Sequence, residues 1–114
     1  MKCSDLNLKL LERFPELKDR FDSEASWQYG IDTGSFIIYE DVFNNYLEEN
    51  MDLNNEEVIN KCFDFIEELS NIDDEYVLNL LVVGIFENMN AYTNKEDYIR
   101  RLRVKSLEIY KRYY

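Results

Sequence analysis

The stretch 55–71, "NEEVINKCFDFIEELSN", decides the fold class. Val58, Cys62, Phe65, Ile66 and Leu69 recur at steps of three and four, with Ile59 at the edge, so they share one face of a helix. Glu57, Asn60, Asp64, Glu67 and Glu68 fall on the opposite side. The apolar stripe of such a helix needs neighbours of the same period, and the flanking segments supply them.

Downstream, "DEYVLNLLVVGIFENMN" (74–90) is apolar nearly all round, which predicts a central, buried helix started by Asp73 and Asp74. Gly84 in its middle costs about 1 kcal/mol relative to Ala, so close packing against another helix is expected there. In "NKEDYIRRLRVKSLEIYKRYY" (94–114), Asn94 is a candidate cap. Tyr98, Ile99 and Leu102 form one face, while Leu107, Ile109, Tyr110 and Tyr113 form another. The two faces differ in phase, predicting a break near Val104 to Ser106.

Upstream, "FIIYEDVFNNYLEEN" (36–50) starts ambiguously, because Phe36 to Tyr39 also suits a short strand. From Tyr39 the apolar spacing is helical, so the whole is read as a helix from Ser35 or Phe36. "MDLNN" links it to the next helix, with Asn54 or Asn55 as cap. Near the start, Ser4 caps "SDLNLKLLERF", with Leu6, Leu10 and Leu11 on one face. Pro15 opens a second helix carrying Leu17 and Phe21, and "SWQYGIDTGS" follows as a Gly-bounded loop. The expectation is an all-α fold: one compact domain over residues 1–114, with about five to seven helices in an irregular bundle or short helical array.

Composition agrees. The chain has 114 residues, 46% hydrophobic, with three Gly and one Pro, so it can bury a core and has few obligatory turns. Met1 to Asp5 does not read as a secretory leader, and the longest apolar run, 80–86, is too short to span a bilayer. A cytoplasmic protein is expected, with Cys3 and Cys62 as reduced thiols; nothing requires a disulfide between them.

Charge is unevenly distributed. Residues 36–93 contain fourteen acids and a single base, Lys61, for a net −13, whereas residues 94–114 have a net +4. A total of −11 disfavours nucleic acid and anionic membrane as partners. Like charges on one helix face repel unless cations relieve them. Either the basic C-terminal segment folds back onto the acids, or they await a basic partner.

Catalytic motifs are scarce. With no histidine, Ser/His/Asp and Cys/His catalysis and histidine metal sites are excluded. The glycines are too scattered for a phosphate loop, and "DLNNEEVINKCF" lacks the central glycine and ligand spacing of a calcium loop. No enzyme activity, cofactor or metal is expected. Nine tyrosines, among them Tyr39 and Tyr46, serve either as a core rim or as recognition surface.

Three stretches, "LLERFPEL", "FDFIEELSNIDDEYVLNLLVVGIFENM" and "VKSLEIYKRYY", resemble small acidic all-helical immunity proteins of bacterial polymorphic toxin and contact-dependent growth inhibition systems. The likeness covers most of the chain in order and consists of packing patterns. It departs before Phe36 and around Ala91 to Lys95. It implies a cytosolic inhibitor that binds a cognate toxin domain, often a basic nuclease.

Charge and resemblance together predict a partner-binding surface of Glu57, Asp64, Glu67 and Glu68, with Glu48, Glu49, Asp52 and Tyr46 next. Its carboxylates would pair with Lys and Arg of a basic toxin protein, and the chain would be a monomer or weak homodimer. On this reading Asp64 and Glu68 are reversible to Lys without loss of folding. A non-catalytic helical adaptor with another protein partner is the alternative.

Overall fold

A computed structural model describes residues 1–114. It is all-α, with seven helices and no strand. Helix α1 is Cys3–Arg13, and a 3-10 turn, Pro15–Leu17, leads into α2, Lys18–Glu24. A loop with a 3-10 turn at Gly30–Asp32 precedes α3 (35–52). Helix α4 is Glu56–Ser70, α5 spans 75–90, α6 is Lys95–Ile99 and α7 is Val104–Tyr113. None is long and apolar enough to cross a membrane.

The Phe36–Tyr39 ambiguity resolves as helix, and side chains tie that turn to α1. Ser35 Oγ donates to Cys3 O at 3.1 Å, and the buried Tyr39 hydroxyl donates to Leu6 O at 2.6 Å. Helix α1 begins at Cys3, so Ser4 lies inside it and is not its cap. Cys3 and Cys62 are free thiols; Cys3 Sγ lies 2.9 Å from the Tyr76 hydroxyl, and burial pushes the Cys62 thiol up to about 12.

Phe65 of α4 is fully buried in the aromatic part of the core. Its ring lies 5.6 Å from Phe14, 5.8 Å from Phe43 and 6.3 Å from Tyr39, joining the α1–α2 junction, α3 and α4 in one aromatic cluster. Such pairs add about 0.5–1.5 kcal/mol each beyond area burial. The α4 stripe is wider than a single face: Phe63 is also buried, because α7 packs on the side of α4 away from this cluster.

Helix α5 differs from the expectation of burial all round. Leu80, Leu81, Ile85 and Phe86 are buried, but Val83 is 46% exposed. The helices around α5 leave one side of it uncovered, so its apolar character exceeds its burial. The break before α7 falls at residues 100–103, just ahead of the expected Val104 to Ser106.

Both long central helices are locally widened into π-turns, Tyr39–Phe43 in α3 and Leu80–Phe86 in α5, and the two widened stretches pack against each other. There Asn44 Nδ2 donates to the buried Gly84 carbonyl at 2.8 Å. A Cβ on Gly84 would stand 3.0 Å from Leu80 Cδ1 and 3.6 Å from Phe36 Cδ1, so the close approach expected at this glycine is present. Removing glycine from a helix gains up to about 1 kcal/mol, which the Leu80 contact offsets. We therefore expect Gly84→Ala to change stability by less than about 1 kcal/mol. Gly84→Val, with two further carbons and no space for them, should cost about 1–3 kcal/mol in urea denaturation.

Candidate partner-binding surface

The acids of α4 are largely engaged within the molecule. On one flank Glu56 accepts two hydrogen bonds from Arg101, both at 2.9 Å, and Asp64 pairs with Arg103. On the other flank Glu68 pairs with Arg13 and lies 3.8 Å from Lys9, while the only cation of the helix, Lys61, reaches Glu16 of the Pro15 turn at 3.9 Å. The basic C-terminal segment thus folds back onto α4, and Lys9 and Arg13 of α1 pair on its other flank.

Glu67 does something different. Its two carboxylate oxygens accept the backbone N–H groups of Lys105 and Ser106 at 3.0 and 2.9 Å. These are orphan donors of the first turn of α7. The residue at the cap position of α7 is Arg103, whose side chain has no acceptor, so α4 supplies one. Burial acts to raise the Glu67 carboxyl pKa, but the Ser106 and Lys105 amides outweigh it and hold the carboxyl below its ordinary value.

Of the remaining expected surface residues, Glu49 makes a two-pronged contact with Arg20. That hydrogen bonding outweighs burial and lowers the Glu49 carboxyl. Tyr46 donates to Glu16 Oε2 at 2.7 Å, and the Arg20 guanidinium lies 5.4 Å over its ring. Glu48 accepts from the Tyr92 hydroxyl at 3.2 Å; burial and then the Glu48 charge push that hydroxyl up to about 12. Glu57 and Asp52 are exposed and have no cation within 4 Å.

The uncompensated charge therefore concentrates on α3. Ile37, Asp41, Asn45, Glu48 and Asp52 follow one another at steps of four and three along its outer side, with Glu40 beside them. Helix α3 carries no base, and among its acids only Glu49 has an ion pair. Ile37, 52% exposed, gives this stripe an apolar end. Glu40 and Asp41 were not among the expected surface residues; the signal that marks them is the absence of any base from Phe36 to Asn60.

A separate cleft of about 440 Å³ lies between the 70–75 turn and α7, with Asp73, Asp74 and Glu75 as well as Lys105 and Arg112 in its walls. Both charge signs are present, so it has no preference for a basic partner. No group of three or more His, Cys, Asp or Glu side chains is arranged to hold a metal ion.

Each paired surface acid contributes at most about 1 kcal/mol, whereas an N-cap acceptor is typically worth about 1 and up to 2. Glu67→Ala should therefore destabilise more than Glu57→Ala, which should be near neutral. The difference requires ionised Glu67. It should be present above pH about 4.3, the unfolded carboxyl value, and vanish as pH falls through the lower folded value. Urea denaturation of the two variants at neutral and acid pH checks this. Reversal of Asp64 and Glu68 to Lys, expected from sequence to be harmless, places cations against Arg103 and Arg13 and should cost about 1–2 kcal/mol in the same measurement.

No curated protein and no solved structure matches the chain. A family model described as a domain of unknown function, DUF7674, matches residues 7–114, which takes in α1 from Asn7 and all the later helices. The chain belongs to the DUF7674 family.

Proposed function

We propose that this protein is a cytosolic inhibitor of the immunity-protein kind, which binds a basic toxin domain through the outer side of α3. The observation that carries the reading is the contrast between two acidic helices. The acids of α4 are largely engaged with the chain's own bases and amides, while Glu40, Asp41, Glu48 and Asp52 of α3 face no cation. Intramolecular ion pairs and amides account for the first set; in the second only Glu48 has a contact within the fold, the neutral Tyr92 hydroxyl, and none has a counter-ion. A toxin that binds phosphates presents Lys and Arg, and a stripe of carboxylates at the spacing of helical turns occupies the same sites.

This reading moves the expected surface. Glu48 and Asp52 stay in it and Glu40 and Asp41 join it, whereas Glu67 is taken by α7, and Asp64, Glu68 and Glu49 already have partners. Glu57 is free but stands on a different helix. A helical adaptor for another basic protein would use the same stripe; the two readings part on whether the partner is toxic when expressed alone.

Tagged protein from its own cell lysate should retain a basic partner at ~50 mM salt and lose much of it at ~500 mM, where screening is severalfold stronger. Asp41→Lys with Glu48→Lys should weaken that complex more than about tenfold without changing the melting temperature by more than a few degrees. Unchanged affinity would remove α3 from the interface. A partner that arrests growth alone and is silenced by co-expression supports inhibition; a harmless partner supports the adaptor.

A further inference from the structure

Trp27, the only tryptophan, is 95% exposed. The loop that carries it is nonetheless closely tied. Gly30 and Tyr29 amides donate to Ser26 O at 2.7 and 3.2 Å, and the Ser26 amide donates to Thr33 Oγ1 at 3.0 Å. The Thr33 hydroxyl in turn donates to Gly30 O at 2.7 Å. From α1, the buried Asn7 Nδ2 donates to Ile31 O and Thr33 O at 3.0 and 2.7 Å. Gly30 sits at φ +50°, the left-handed conformation that closes the turn. Folding has already met the ordering cost of this loop, a cost that a flexible loop meets only on binding.

Beside Trp27 lies a cleft of about 380 Å³ with Leu11, Phe21, Ala25 and Ile31 in its walls. We propose that Trp27 and this cleft form a docking site for a cationic amphipathic segment of another protein, separate from the acidic stripe of α3. A pre-ordered indole beside an apolar recess is the arrangement of an interface anchor. Charge selects the occupant. Lys18 and Asp22, both in the cleft wall, pair at 2.5 Å and cancel, whereas Glu24 and Asp32 bracket the run 25–31 without a cation within 4 Å. A second copy of this chain would bring the same two acids to a symmetric contact, and an anionic membrane would also be repelled. A segment with an apolar face flanked by Lys or Arg suits both the recess and the two exposed acids next in sequence to its Ala25 and Ile31 walls.

Because Trp27 is the only indole, its fluorescence reports this site alone. The full chain is titrated with two synthetic amphipathic helices about four turns long, sharing one leucine face and differing only in lysine or glutamate on the other. The Leu/Lys helix should shift Trp27 emission to shorter wavelength saturably, with affinity at least about tenfold above the Leu/Glu helix. In calorimetry, Trp27→Ala should weaken Leu/Lys binding at the loop about tenfold; at this exposure the substitution leaves the fold intact. An Asp41→Asn, Glu48→Gln chain should keep the emission shift, which separates this site from α3. No shift, an equal shift with both helices, loss of the shift in the α3 variant, or a shift driven by the protein's own concentration would each overturn the proposal; the last would make a second copy the occupant.

Discussion

Burial of Phe65 sets the geometry on which the other contacts rest. Its ring meets Phe14, Tyr39 and Phe43, so one side chain fixes α4 against α3 and against the junction of α1 and α2. Fully burying a side chain of this size is worth about 1.5–3 kcal/mol, against at most about 1 for any ion pair at the rim of the same helix. The apolar stripe therefore decides where α4 lies. The charged flanks then select which basic segments settle beside it: Arg13 and Lys9 on one side, Arg101 and Arg103 on the other.

That ordering changes the meaning of the acidic middle segment. Read along the chain, residues 36–93 look like a reservoir of repulsion awaiting a partner. In space, α4 resolves its repulsion with bases from both ends, and α3 does not. The division follows from position. Helix α4 lies between α1, with Lys9 and Arg13, and the basic C-terminal segment, whereas on α3 only Glu49 has a cation, Arg20 of α2.

The helical class was legible because a period of 3.6 is a local property, and α4 carries it without interruption from Val58 to Leu69. The glycine at 84 was legible in part: inside a helix it implies a closely packed neighbour, and Phe36 of α3 is at ordinary contact distance from a Cβ there, while the tighter contact is Leu80 of its own helix. Phe63 was not, since reading one stripe assumes one buried face and α4 has two packed sides. The pairing of Asp64 with Arg103 was only half legible; net charge by segment suggests that the C-terminal segment folds back, but not onto which helix. Glu67 was assigned outward because its role depends on an amide 39 positions away. A clue does exist at the other end: a helix that opens after Arg103, with no Ser, Thr, Asp or Asn at the cap, needs an acceptor from elsewhere.

The Glu67 cap also orders the assembly of the chain. Helix α7 has ten residues, below the ~12–15 at which an isolated helix becomes even marginally stable, and its cap residue, Arg103, has no side-chain acceptor for the first-turn amides. It gains one only where α4 already stands. During synthesis α4 emerges first, so the acceptor is in place before the amides that need it leave the ribosome. Docking of α7 thus depends on α4 being in place, and loss of α4 would release the α7 start with it.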